Sequence, residues 1–545
     1  MADAARQVSS AAEERRGELA FALPPALAWL ALVLLQAILI PAGADALATA
    51  LMVAVGGLAA FLIYLRQDLL RRHPISSMMM LGYAFYYFWA PPLATLAELK
   101  PLTTNLQHPV LVEFNALVVF ATYSLALFLY ARVGVLGRLR WLLSERLCRP
   151  LGFFRDPGDE TLFVMGGIAL AATLLAARSG SVGARFLAGF APMAYLPCAV
   201  ALGGLIGRDA HRARPTPQRL LLLAAYLVAL LGLGVALNSR GAAFMGLASM
   251  ALAYLYGTRA GAIAGRLARP RNMLLGVVGL LLVSGPLTDL STAMLVARKD
   301  RAVDSMSALF DQTLEVYHEK TVLAAYRLAE LGARDAAWDE TYVSNPFLSR
   351  LCNLKFADES LDLAVSLDDA GDAVVRKSEL DKVLSNLPQP VLGAFGIDAH
   401  KDVVSRSSGG DFLLFAATGS PYALGGERTG STFATAYACF GWLYPLVLLP
   451  LVLLAFAVGD ALTSRVVRSG GGWDPVISPM VLCTLYSYSA KLTSAATGVD
   501  NVADLLAFSL RDCIQRVLLY TVLLAVARAV LAVTGRAAAP RWGRR

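Results

Sequence analysis

Apolar runs of spanning length recur along this chain from Ala26 to Val533, separated by short polar gaps. Read as helices, they predict spans at about 24–42, 44–65, 75–96, 109–131, 161–177, 186–206, 220–237, 241–257, 272–292, 431–460, 475–492 and 513–534. Most hold about 17–25 mainly apolar residues, enough helix to cross ~30 Å of hydrocarbon. The third run carries Pro91 and Pro92, and the eleventh carries Lys491. One segment breaks the rhythm: from Arg298 to Thr429 there is no spanning stretch. The pattern predicts an all-α fold, a polytopic membrane helix bundle of about 12 transmembrane helices with one large helical periplasmic loop. Its parts are a tail over 1–23, helices over 24–292, the loop over 293–430, three further helices over 431–534 and a tail over 535–545.

Composition fits that picture. Mean hydropathy is +0.58 and 16% of residues are charged, against ~25% in soluble domains. Arg15 and Arg16 precede the first apolar run with no small-residue cleavage site behind it, so that run is expected to stay as an anchor. A net charge of +8 raises the question of nucleic acid, but its distribution answers it. The insertion holds 14 Lys/Arg against 21 Asp/Glu, and the surplus base sits in short gaps. With the N-terminus in the cytoplasm, inner gaps and tails hold 26 Lys/Arg and the short outer gaps hold 5. This positive-inside asymmetry places both termini in the cytoplasm and puts Asn238-Ser239-Arg240 and the whole insertion outside.

Six cysteines lie far apart and form neither a disulfide framework nor a CxxC spacing; Cys352, alone in the insertion, reads as a small buried residue. HExxH, GxSxG and Cys/His metal clusters are absent. The first outer loop, Pro41 to Asp45, is too short for the acidic motif of metal-dependent lipid-sugar transferases. The expectation is a chain without a metal site or cofactor. The two halves also lack the matching broken helices of a secondary transporter.

Within the insertion, residues 306–330 read as an amphipathic helix with Met306, Phe310, Leu314, Tyr317, Ala324 and Leu328 on one stripe. Asp311, Glu315 and His318 flank the stripe, either as a solvated face or as candidate acid–base groups. A second helix is expected at Asn345-Pro346, an N-cap followed by proline at the first helical position. Arg350 lies one turn in, serving either an anion or one of the surplus carboxylates. The stretch after Leu387 reads as poor in regular structure, and ends at Gly425-Gly426-Glu427-Arg428-Thr429-Gly430-Ser431. That turn suits either a phosphate cradle or a flexible re-entry loop. With Arg240, Arg298, Lys299 and Arg301, the residues Arg350 and Arg428 form an outer cationic set on an otherwise acidic face. Arginine binds phosphate oxygens in a fork, and the anion expected at an outer membrane surface is a lipid-linked pyrophosphate.

Three stretches carry a family resemblance. "ALNSRGAAF" (236–244) is a Ser-Arg-Gly turn between two mid-chain spans, and "NPFLSRLCNLKFADESL" (345–361) is an Arg-bearing segment of the large loop. "GERTGSTFATAYACFGWLYPLV" (426–447) leads from a Gly-Ser start to the pair Phe440-Gly441. Together with the topology they resemble the Wzy-type O-antigen and exopolysaccharide repeat-unit polymerases of bacterial inner membranes, which are related to O-antigen ligases. The arginine-and-glycine spaced motif of some members is missing: Ala251 and Leu361 stand eleven residues after Arg240 and Arg350.

The resemblance implies a metal-independent glycosyltransferase of lipopolysaccharide or exopolysaccharide biosynthesis. Donor and acceptor would both be glycans on undecaprenyl pyrophosphate, with a chain-length regulator as a partner and no nucleic acid. Arg240, Arg298, Arg301, Arg350 and Arg428 would stabilise the pyrophosphate leaving group. His318, Glu315 or Asp311 would take the acceptor proton, with His318 favoured because an ordinary His titrates near working pH. An O-antigen ligase-like transferase and a non-enzymatic lipid-linked oligosaccharide flippase are the alternatives.

Overall fold

The computed structural model describes residues 23–40, 43–177, 182–206, 215–237, 240–261, 270–297, 306–332, 338–387, 389–396, 401–467, 473–494 and 499–534. It is nearly all helical, at 81%. Among the described residues, seven helices are long and apolar enough to cross a membrane: Ala44–Tyr64, Pro109–Arg132, Asp159–Ala176, Phe186–Ile206, Pro217–Ala236, Thr432–Ala461 and Val502–Val533. Each coincides with an apolar run of the sequence. Leu23–Leu39 is a shorter apolar helix, and Arg240–Arg259 and Pro270–Ala297 are helical as well.

Of the expected spans outside those seven, two are interrupted, each for a local reason. In the third, a π-helical turn over Phe85–Trp89 joins Pro74–Ala84 to Ala90–Ala97. Pro91 and Pro92 lack N–H donors, and the widened turn accommodates them within one helical path. The eleventh is no single helix. Residues Trp473–Ile477 pair antiparallel with Thr463–Val467, from Thr463 opposite Ile477 to Val467 opposite Trp473. Helices Pro479–Cys483 and Leu485–Ser489 follow, separated at Thr484. Pro475 cannot act as a helical donor and Pro479 opens a helix, so the apolar run is cut at both places.

The bundle core is aromatic. Tyr83 stacks on Tyr87 with ring centroids 4.4 Å apart and meets Tyr123 edge-on at 5.4 Å. The start of Pro74–Ala84 is fixed by a buried acid, since Asp460 accepts hydrogen bonds from the Ile75 and Ser76 amides at 2.8 and 3.2 Å. These are donors that the first helical turn cannot satisfy internally.

The insertion is helical almost throughout its described residues. The expected helix over 306–330 divides at Glu319 into Met306–His318 and Lys320–Gly332. Asn345 forms the expected cap, its side chain accepting from the Phe347 and Leu348 amides, but Pro346–Ser349 lasts only one turn before Leu354–Ser366 begins. The stretch after Leu387 corrects the sequence reading, because Gln389–Ala394, Lys401–Arg406 and Gly409–Thr418 are all helical. Behind the glycines lies a capping box. Ser408 Oγ accepts from the Asp411 amide and the Asp411 carboxylate from the Ser408 amide, both at 3.1 Å.

The insertion's surplus acid is not simply solvated. Asp358 accepts from the Gln107 and His108 amides at 2.7 and 2.8 Å, and Glu379 accepts from the Ala503 amide at 2.7 Å. In the other direction, Glu98 of the bundle accepts from the Ser344 and Asn345 amides at 2.9 and 2.7 Å. Carboxylates therefore dock the insertion onto the loops at one end of the bundle.

Candidate functional site at the junction of insertion and bundle

Two of the expected arginines lie at adjoining ion pairs, Arg350 with Glu340 and Arg428 with Asp411. Arg350, the C-cap of its one-turn helix, pairs with Glu340 at 2.8 Å and lies 5.1 Å from the centroid of the Phe356 ring. The other Glu340 oxygen accepts from the Thr429 amide at 2.8 Å and the Trp338 indole at 3.2 Å. Glu340 thus ties the two loop segments 345–361 and 426–447 together. Arg350 stays half-exposed at 46%.

Arg428 has a different role. Its guanidinium reaches Asp411 at 3.3 Å and the Ala423 carbonyl at 2.9 Å. Asp411 is fully buried and also accepts from the Glu427 and Arg428 amides at 3.0 and 3.2 Å. The Gly-rich turn does cradle an anion, and that anion is the chain's own Asp411. The crossing is close: a Cβ on Gly430 would stand 2.5 Å from the Gly410 nitrogen. The arrangement fills the phosphate-cradle geometry from within.

The exit helix beyond this turn is bent. Thr432–Phe440 stops at Gly441, whose φ of 55° and ψ of −146° are essentially restricted to glycine, and Tyr444–Ala461 continues from there. Beside the bend lies a groove of about 330 Å³. One wall is the helix Asp369–Ser385, which presents Arg376, Glu379, Leu380 and Val383 at helical spacing. The other walls are Cys439, Phe440 and Leu451 from the bent helix and Val502, Ala503 and Leu506 from the last apolar helix. The groove is almost wholly apolar, with an arginine and a carboxyl one turn apart at its insertion side. Burial pushes the Glu379 carboxyl up to about 7; Lys382 and the Ala503 amide oppose the rise, and Asp504 and Asp500 add to it. A carboxyl titrating near neutrality beside a cavity has the properties of an acid–base group.

No protein-family model matches this chain, and neither does any curated protein or solved structure.

The remaining expected site residues fall elsewhere. Asp311, Glu315 and His318 all lie exposed on Met306–His318, and His318 touches Tyr317 edge-on at 5.6 Å. Arg240 opens the helix Arg240–Arg259. Arg298, Lys299 and Arg301 lie outside the described residues, as do Asn238 and Ser239. Cys352 is buried, and burial raises its thiol well above the usual range, which leaves it protonated and inert. Arg376 and Glu379 escaped the sequence reading because they sit in the charge-rich helix "DAGDAVVRKSELDKVLS", where acids and bases face every direction. The available signal was the apolar pair Leu380 and Val383 on the same face.

Proposed function

We propose that this chain is a polysaccharide polymerase, a glycosyltransferase of the bacterial inner membrane with about twelve spans, both termini cytoplasmic and the insertion periplasmic. It joins oligosaccharide repeat units carried on undecaprenyl pyrophosphate into O-antigen or exopolysaccharide at the outer face. The observation that carries the proposal is the groove between Asp369–Ser385 and two apolar helices, with Arg376 and Glu379 at its edge. An apolar trough with a charged rim suits a substrate that is hydrocarbon at one end and a charged, hydroxylated head at the other.

In the proposed reaction the acceptor hydroxyl attacks the anomeric carbon of the donor sugar. The bond from that carbon to the pyrophosphate oxygen breaks, and undecaprenyl pyrophosphate leaves with the electron pair. Glu379 takes the hydroxyl proton, being basic enough near neutral pH and still substantially ionised there. Arg376 lines the groove and, half-exposed at 3.7 Å from Asp372, can turn toward the developing phosphate charge; Arg350 would join it by leaving Glu340, its partner at 2.8 Å. Arg428 is already committed to Asp411 and supports the turn.

The experiment is a gene deletion complemented at matched protein levels with wild type, Arg350→Ala, Arg376→Ala and Glu379→Ala. A deletion strain with a single repeat unit on lipid A-core or carrier, not elongated by the variants, supports the polymerase. Long polymer stranded on the carrier would replace it with a ligase. Unaltered polymer in every strain would sink the enzymatic reading and leave a flippase or other transporter, a class for which the buried Glu113 in Pro109–Arg132 is a fitting feature.

A further inference from the structure

Arginines converge at the end of the bundle opposite the insertion. Pro109–Arg132 begins where the insertion's Asp358 holds the His108 amide, and Thr432–Phe440 begins at the Gly430 crossing, so Arg132 and Ala461 mark the far end. There the short helix Gln67–Arg72 ends in a carbonyl, that of Arg72, which accepts from Arg140 Nη1 at 2.5 Å and from Arg465 Nη2 at 3.3 Å. Two guanidinium groups therefore share one oxygen. Nearby, Arg71 donates to the Ala260 carbonyl at 2.7 Å and Arg259 to the Tyr64 carbonyl at 3.2 Å. Carbonyls at helix ends suit such donors, but they are neutral and leave the positive charge in place.

The local acids do not offset it. Asp460 is fully buried and takes the Ile75 and Ser76 amides, the Ser76 hydroxyl and His73, acting on Arg140 only at longer range. Asp68 pairs with Arg72 in solvent at 2.8 Å, a contact of little strength. Arg140 is buried, its other terminal nitrogen bonds the Thr463 hydroxyl at 3.1 Å, and among the described residues no carboxylate lies within ion-pair distance of it. Partial burial, with the charges of Arg140 and Arg72, holds the Arg465 guanidinium below its ordinary pKa, against Asp460 and Tyr130. The site thus carries more positive charge than it balances. It also lies at head-group depth, since Arg72, Arg140 and Arg465 follow membrane-length helices that end at Tyr64, Arg132 and Ala461. We propose that Arg72 and Arg465, backed by Arg140, bind the phosphate of an anionic phospholipid head group. Arg72 and Arg465 are exposed and reach the phosphate oxygens, Arg72 by leaving Asp68, while Arg140 adds its charge from behind. A lipid is favoured over a soluble anion because Val135, Trp141 and Leu142, beside Arg140 in the chain, are exposed and offer acyl chains an apolar surface.

The test uses the full-length chain in non-ionic detergent, titrated with phosphatidylglycerol, with zwitterionic phosphatidylcholine or with inorganic phosphate, and read by native mass spectrometry and thermal melts. Phosphatidylglycerol should bind in preference to phosphatidylcholine and raise the melting temperature along its binding curve. Arg72→Gln and Arg465→Gln should each weaken that binding about fivefold, the loss of one basic residue near an anionic surface, with the lipid-free melting temperature nearly unchanged. Saturation and protection by inorganic phosphate alone would overturn the proposal in favour of a soluble anion. Equal binding of the two lipids, or variants that bind phosphatidylglycerol as wild type does, would overturn it and leave the arginines as caps of helix ends. No glycan enters the assay, so its outcome is independent of the transferase reading.

Discussion

Two helices of the insertion carry similar charge and use it in opposite ways. Met306–His318 holds Asp311, Glu315 and His318 in solvent, while Asp369–Ser385 turns Arg376 and Glu379 toward a groove shared with two apolar helices. By residue type the first helix is the better place to look for an acid–base group, since it has the histidine. By environment it is the second, because there burial raises a carboxyl that lines a groove. What makes a titratable side chain useful is the wall opposite it.

The largest expected effect tests that contrast directly. Glu379→Ala should lower polymer formation by roughly 100-fold or more, the range for loss of a general base, as measured by glycan gels at matched protein levels. Polymer formation within twofold of wild type would move the chemistry elsewhere. Next comes Arg428→Ala, which strands the buried Asp411 carboxylate and should cost about 3 kcal/mol of stability in a thermal or denaturant melt. Arg350→Ala, at a half-exposed pair, should cost under ~1 kcal/mol in the same melt while still reducing polymer.

Acidity should separate the two helices further. The Glu379 carboxyl is raised from an ordinary 4.5 to about 7, so the folded state binds the proton more tightly than the unfolded chain does. Its stabilising contribution is therefore complete below about pH 4.5 and is lost as pH rises through about 7. Discounted for the partial exposure of the side chain, this amounts to on the order of 2 kcal/mol. Glu379→Gln should remove that slope from a melting-temperature series, and an unchanged slope would assign it to another group. The smallest effect belongs to Asp311→Ala, Glu315→Ala and His318→Ala. Each should change stability by no more than about 0.5 kcal/mol and leave polymer within roughly twofold. A large loss at His318 would reverse the ranking of the two helices.

Some of the junction was legible in the chain and some was not. Asn345-Pro346 announced a cap, because the short amide side chain and the fixed proline φ act locally. The bend at Gly441 was not read, because the apolar run over 431–460 is continuous, although a backbone at φ 55° and ψ −146° needs a residue without a Cβ. The helices after Leu387 were hidden behind glycines that read as loop. Gly409, Gly410 and Gly430 are small because two backbones cross there, a reason that no local pattern expresses. The destination of Arg428 was also hidden: its partner Asp411 lies 17 residues away and comes close only when the Gly409–Thr418 helix folds back on the turn.

By itself, the sequence determined that this is a helical chain with membrane-length apolar segments and one long acidic insertion. Hydrophobic periodicity and helix caps act over one or two turns, so they can be read along the chain. Only the tertiary structure decided which charges remain in water, which dock the insertion to the bundle and which face a groove. Desolvation and pairing are set by what stands within a few ångströms, and those neighbours come from residues as far apart in sequence as Glu379 and Ala503, or Tyr87 and Ser431.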